Sequence, residues 1–405
     1  MHVVYLSPGF PAEMPLFVRG LAQVGAKVLG VGDQPAAALP AEAREALADY
    51  LQVRSFDDER AVADQIRTWL KGRSVDRVEC LWERLMYLAA RLRQEFGVPG
   101  MSVEQTLVFR DKERMKQAVE AAGLRVPRHG RARSKAEAWA AIEHVGFPAI
   151  VKPIDGAGSK DTYRCGDRAE FEQALQNTVH VPEISVEEYI EGEELTYDTV
   201  CAGGRILFEN VSLYRPKPMI LAQNEWISMQ NIVLRDLGAE LPAPGVSLGR
   251  AVLQALGFQT GFTHMEWFRT PAGEAVFGEI GGRPPGARLV HAMNYSCDID
   301  LFRGWAEAVC WGRLSQDTTK KYNASMVFKR AQGQGRVRAY VGLDELMRRY
   351  GEHIASIELT PIGEPKRDWR KVVVGDGWIV MRHPDLGKTL EMSERFVNDL
   401  RVVAE

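Results

Sequence analysis

The chain has 405 residues, 45% hydrophobic and 26% charged, the balance of a globular protein with length for two or three domains. A net charge of −3 and a pI near 6.3 argue against nucleic acid or an anionic membrane surface as partner. The cysteines at 80, 165, 201, 297 and 310 form no C-x-x-C pair, which argues against a disulfide framework or zinc knuckle. No apolar run approaches the ~20 residues of a membrane span, and the N-terminus lacks the basic flank of a signal peptide. The expectation is a cytoplasmic protein.

In chain order, Val3–Leu6 leads through Ser7-Pro8-Gly9 into a helical stretch over 15–24. Strands at 27–31 and 77–82 follow, the latter before a helix over 85–96. Strand–helix alternation predicts a parallel sheet covered by helices, a small Rossmann-like domain. The first turn lacks G-x-G-x-x-G, so no dinucleotide site is inferred. A helix is predicted from Gln105 to Gly123, with Pro127 beyond its glycine stop. Another follows Ser134, whose spacing to Glu137 is that of a capping box.

The next segments are a strand over 147–153, the loop Asp155–Asp161, a strand at 162–165, a helix over 168–176 and a strand over 184–190. Gly156, Ala157, Gly158 and Ser159 form a turn whose glycines can aim N–H groups at an anion; a plain hairpin turn fits as well. Lys152 ends an apolar strand, where a buried ammonium needs a counter-charge or snorkels to the surface. Lys112 reads locally as a solvated helix residue. Glu187 to Glu194 is a strand end whose open backbone and carboxylates could meet a purine edge and a ribose. Strands over 195–201 and 206–211 follow. A helix is predicted over 301–311, and the last ~85 residues read as a small α+β unit, with a helix over 343–350 and strands near Val372 and Trp378.

The most informative segment is Thr263 to Arg283, two alternating runs around Thr-Pro-Ala-Gly. With a four-residue loop, Glu266 falls opposite Phe277 and His264 opposite Glu279. Glu266 and Glu279 then become diagonal neighbours on one face, roughly 7–8 Å apart at the backbone. Two such carboxylates could share a magnesium ion or lie on an ordinary solvent-facing strand; the hairpin alone does not choose. Arg283, fixed in Gly-Gly-Arg-Pro-Pro-Gly, could bind a carboxylate or a phosphoryl group. The stretch Leu213–Met219 and Trp226 are expected in the substrate pocket wall.

The order of these pieces is specific. Asp111-Lys112 with Met115-Lys116, Pro-Ala-Ile-Val-Lys152-Pro, Gly-Ala-Gly-Ser, Glu187-Glu-Tyr-Ile190-x-Gly-x-Glu194, His264-x-Glu266 and Glu279-x-x-x-Arg283 together resemble the ATP-grasp superfamily. The resemblance covers about residues 105–310, and Gly97-Val-Pro-Gly100 looks like the end of that family's N-terminal domain. It implies an ATP-grasp fold of mixed α/β and α+β type: a Rossmann-like domain at 1–105, an ATP-grasp domain at 106–320 with its lid lobe near 130–190, and a C-terminal α+β subdomain at 321–405.

It also implies roles. Lys112 and Lys152 would contact the α- and β-phosphates of ATP, and the loop of Gly156 to Ser159 would close over them. Glu187 and the Ile190 backbone would meet adenine, and Glu194 the ribose. Glu266 and Glu279 would hold Mg2+, or Mn2+ in its place, and Arg283 would steady an acyl phosphate. His264, on the face of Glu266, reads from its own position as a packed histidine or a substrate contact, and Arg288 is a further substrate candidate. The family usually places Asn where this chain has Gly281, which implies a weaker second metal site. The implied activity is an ADP-forming carboxylate–amine ligase acting on a small acid and an amine; apart from the resemblance, a homodimer is the common assembly of soluble enzymes. A formate- or bicarbonate-using purine-pathway enzyme and a non-catalytic ATP-binding protein are the alternatives.

Overall fold

The computed structural model describes residues 1–155, 161–217, 220, 224–369, 372 and 374–405. The first ~100 residues form a parallel sheet in the order β3-β2-β1-β4, with β1 at His2–Leu6, β2 at Lys27–Gly32, β3 at Leu47–Gln52 and β4 at Arg77–Glu79. The apolar runs of β1 and β2 are buried on both faces, as strands between helical layers must be. This domain docks through the helix Met14–Gln23 onto the helix Leu301–Trp311. The Phe17 ring meets Phe302 and Trp305 edge-on at 4.9 and 5.3 Å. Gly20 permits the approach, since a Cβ there would lie 2.4 Å from the Phe302 carbonyl oxygen.

The predicted single helix over 105–123 is two, Val103–Arg110 and Lys112–Ala121. Asp111 breaks it. Its backbone is extended and its carboxylate accepts from the Glu113 and Arg114 amides, an N-cap that outweighs helical continuity. Lys112 thereby becomes the first residue of the second helix.

A four-stranded sheet follows in the segment expected to be the lid lobe, and is named the lid sheet for that expectation. Its order is β5-β8-β6-β7, with β5 at His129–Ala132, β6 at Ala149–Pro153, β7 at Tyr163–Cys165 and β8 at Ile184–Glu188. Ser134 caps the helix Lys135–Val145 as expected, accepting from the Glu137 amide. Gly156, Ala157, Gly158 and Ser159 lie outside the described residues.

The rest is built on one eight-stranded antiparallel sheet, β13-β12-β9-β10-β11-β14-β18-β17. Its strands are β9 at Glu193–Ala202, β10 at Arg205–Arg215, β11 at Gln230–Val233, β12 at Gly261–Arg269, β13 at Ala275–Gly281, β14 at Asn323–Phe328, β17 at Ile354–Leu359 and β18 at Gly377–His383. Residues 321–405 do supply an α+β segment, and helix Leu343–Tyr350 falls where expected. Three of its strands nevertheless extend the central sheet. Gln332–Gly333, Val337–Val341 and Arg401–Ala404 make a small separate one. Val372 is not in a strand.

The hairpin β12–β13 departs from the predicted register twice. The turn closes one residue later, pairing Arg269 with Ala275, and a bulge at Gly278 adds a second slip. His264 therefore faces Gly281, and Glu266 faces Glu279 directly. Two one-residue slips restore the original parity, so both glutamates keep the expected common face. Gly278 makes the bulge possible: a Cβ there would sit 2.7 Å from the Glu266 carbonyl oxygen. The Phe277 amide bonds outward to the Arg125 carbonyl at 2.9 Å. We expect Gly278→Ala to cost about 1–3 kcal/mol through this overlap, measured as a lowered unfolding midpoint.

Candidate active site

A cavity of about 800 Å³ opens between the N-terminal domain, the lid sheet and the central sheet. Its wall includes Lys112, Lys152, Glu187, Ile190, Glu194, His264, Glu266, Glu279 and Arg283. Fold and burial thus bring together residues up to 171 positions apart, from 112 to 283.

The cations come from two elements. Lys112 opens its helix because Asp111 caps it, and Lys152 leaves the apolar strand β6 at its end. Both converge on one Glu279 oxygen, at 3.5 and 3.8 Å. The solvated reading of Lys112 is thereby corrected, because the residue is buried. Glu187, on β8, accepts from Lys152 at 3.0 Å and pairs with Lys116 at 2.9 Å, and the Ser185 hydroxyl donates to it at 2.8 Å. Lys116 lies one turn beyond Lys112 and is fully buried. The sequence motif contained it, but only the fold shows that it faces Glu187.

Burial would raise the carboxyls of Glu187 and Glu279, and the lysines overcome it. Lys116 and Lys152 hold Glu187 far below the usual range, while Lys112 and Lys152 hold Glu279 down to about 2. Burial lowers Lys152, but Glu187 and Glu279 more than reverse this. Lys116, deeper still, ends below its ordinary value despite Glu187. Glu194 goes the other way. Burial, then the nearby Glu266 carboxylate, push it up to about 8, so at neutral pH it is an acid able to donate a hydrogen bond.

His264 stands beside Asp198 on the neighbouring strand, with Nδ1 2.6 Å from the aspartate oxygen and Nε2 3.6 Å from Glu266. Burial opposes its charge, yet the two carboxylates raise it to about 9. The Thr196 hydroxyl and the Asn210 amide also donate to Asp198. No motif pointed to Asp198.

Arg283 turns toward the N-terminal domain. Its Nε donates to Glu83 at 2.9 Å, and Nη1 to the Pro284 carbonyl at 2.9 Å. A Cβ on Gly281 would touch its Cγ at 3.4 Å, so the arginine lies along the strip where the resemblance implies Asn. Arg288 is not part of the cavity wall. Its guanidinium stacks over the Trp378 ring at 4.9 Å while its amide donates to Glu13. Tyr214 and Lys217 line the cavity as expected; Trp226 instead lies exposed against Lys366, and Pro218 and Met219 are outside the described residues.

Two facing carboxylates supply hard oxygen donors. A magnesium ion needs no more from protein when phosphates and water complete its shell. Among the described residues no group of three or more His, Cys, Asp or Glu is arranged for a metal.

Because the folded-state value of Glu187 is depressed, its stabilisation is present above the ordinary glutamate value of ~4.3 and is lost as pH falls toward the depressed one. Glu187→Gln, which strands Lys116, should cost about 3–5 kcal/mol at neutral pH. The gap in unfolding midpoint between variant and wild type should narrow in acid.

Residues 109–214 match the ATP-grasp domain family. The chain is similar to the L-arginine-specific L-amino acid ligase of Bacillus subtilis, 29% identical over 243 residues, which cover 58% of this chain and 57% of that ligase. The matched stretch thus spans little more than half of that relative's own length. The fold is similar to the crystal structure of an L-amino acid ligase from Bacillus licheniformis, with a TM-score of 0.79 at 19% identity over 100% of this chain and 98% of that one. It is also similar to the N5-carboxyaminoimidazole ribonucleotide synthetase of Thermotoga maritima, with a TM-score of 0.73 at 18% identity over 100% and 99% of the chains. The chain thus carries an ATP-grasp domain over residues 109–214, within a fold that it shares along its whole length with those ligase and synthetase structures.

Proposed function

We propose that the protein is an ATP-dependent carboxylate–amine ligase. The observation that carries the reading is Glu279 facing Glu266 across the hairpin while Lys112 and Lys152 converge on it, with Arg283 in the same cavity. Three buried ammonium groups meet the carboxylates Glu187 and Glu279, and two of them, Lys112 and Lys152, line the cavity where phosphates would need fixed cations.

ATP would lie between the lid and central sheets, its phosphates on Lys112 and Lys152. Glu187 has both oxygens engaged by lysines and Ser185, so its part would be to orient Lys152 beside the nucleotide. Ile190 would present backbone to the adenine edge, and Glu194 would meet the ribose. Glu266 and Glu279 would hold Mg2+, which when bound screens the phosphate charge during transfer. A substrate carboxylate oxygen takes the γ-phosphoryl group and ADP leaves. The amine nitrogen then attacks the acyl carbon, phosphate departs with the bonding pair, and the amine's proton passes to solvent. Arg283 would stabilise the charge growing on the acyl phosphate.

The relatives' activities toward amino acids suggest an amino acid for at least one substrate. The cavity admits an apolar body, since Met14, Leu81, Trp82, Met229 and Leu289 line it. Among the described residues no helix is long and apolar enough to cross a membrane, and all five cysteines are unpaired. A reducing, cytoplasmic setting fits the thiols.

ADP release should require both an acid and an amine, and hydroxylamine should trap the activated acid as a hydroxamate when the amine is left out. Glu279→Gln should lower turnover roughly 100-fold or more. ADP formation indifferent to every acid and amine, or a fully active variant, would refute the reading. Turnover with formate or bicarbonate alone would move it to the purine-pathway class.

A further inference from the structure

We propose that Glu83, contributed by the N-terminal domain, is the positioning residue for Arg283. This rests on the ligase reading above, in which Arg283 meets the acyl phosphate. Glu83 follows β4 in a short turn, Glu83–Leu85, and its carboxylate lines the cavity. One of its oxygens, Oε2, receives both Nε and Nη2 of Arg283 at 2.9 Å. The other, Oε1, receives Arg110, the last residue of the helix Val103–Arg110. Nη2 of Arg110 continues to Asp155, just beyond the end of lid strand β6.

The arrangement does more than join surfaces. An arginine has a long side chain with much rotamer freedom to lose. Here the Pro284 carbonyl holds Nη1 and Glu83 holds the other edge of the guanidinium, so its plane is set before substrate arrives. A bare carboxylate would cancel the charge it aims. Arg110 answers this, because two guanidinium groups share one carboxylate and a net positive charge stays in the cavity. Asp155 offsets less of it, being half exposed and screened. Burial would raise the Glu83 carboxyl, but Arg283 and Arg110 keep it ionised. The loop itself is seated on the same domain. A Cβ on Gly282 would lie 2.7 Å from Cε of Met101, so this backbone packs directly on that side chain.

The test uses the full chain with ATP, magnesium and hydroxylamine over a panel of carboxylic acids. Glu83→Gln should lower kcat roughly 10–100-fold through misplacement of Arg283. KM for ATP should stay within about twofold, since Glu83 makes no nucleotide contact in this reading. Glu83→Asp, which keeps the charge, should recover part of the loss. Glu83→Gln placed on Arg283→Lys should cost little more than Arg283→Lys alone, because both act through one group. The assignment falls if Glu83→Gln keeps wild-type kcat, if its loss multiplies with that of Arg283→Lys, if aspartate does no better than glutamine, or if KM for ATP and the unfolding midpoint shift along with kcat. Wild-type protein that makes no hydroxamate with any acid would overturn the ligase reading itself, before any variant is compared, and the assignment with it.

Discussion

A buried ladder of alternating charges, Lys116–Glu187–Lys152–Glu279–Lys112, underlies the site. It joins three separately formed units: the helix opened by Asp111, the lid sheet and the outer hairpin of the central sheet. No member could be buried alone, since an isolated charge in such a place costs several kcal/mol and a broken pair about 3–5 kcal/mol. The ladder therefore ties the lid sheet to the central sheet in one relative placement. It also leaves its end, at Lys112, Lys152 and Glu279, open to the cavity. A structural requirement, that buried charges be paired, is met by these five side chains, and under the proposed function the same set would supply the fixed cations that phosphates need.

Beside the ladder lies a second polar group with a different character. Asp198, His264 and Glu266 run across β9 and β12, and their neighbour Glu194 is driven toward its neutral form by burial first and by the Glu266 carboxylate second. The ladder's carboxylates are pulled down and Glu194 is pushed up within one cavity. That split follows from where the lysines reach: they flank Glu187 and Glu279, while Glu194 sits nearer Glu266. The N-terminal domain closes the third side with Glu83, so the cavity is built from all three parts of the molecule.

Some of this was legible in the residues. The series of short motifs from Lys112 to Arg283 pointed to the nucleotide fold because each piece is local: a lysine ending an apolar strand, a glycine turn, a glutamate at a strand end. The common face of Glu266 and Glu279 was also readable, since strand side chains alternate with period two. Their pairing was not. The turn and the Gly278 bulge each slipped the register by one residue, and only the parity of the two slips kept the face. The break at Asp111 was hidden because helical periodicity runs through it, while the cap that ends it depends on backbone geometry at one residue. Arg288, a substrate candidate from the resemblance, has its guanidinium over the Trp378 ring and outside the cavity wall, a placement that short-range pattern does not reveal.

By itself the sequence determined the order and type of most elements that line the cavity, the absence of a dinucleotide fingerprint and the identity of the two opposed glutamates, because those follow from short-range pattern and side-chain chemistry. Only the tertiary structure decided which charges meet. Lys116 against Glu187, Asp198 against His264 and Glu83 against Arg283 are separated by 71, 66 and 200 positions. Such pairs are chosen by where burial leaves a charge in need of a partner, and that is a property of the packed molecule.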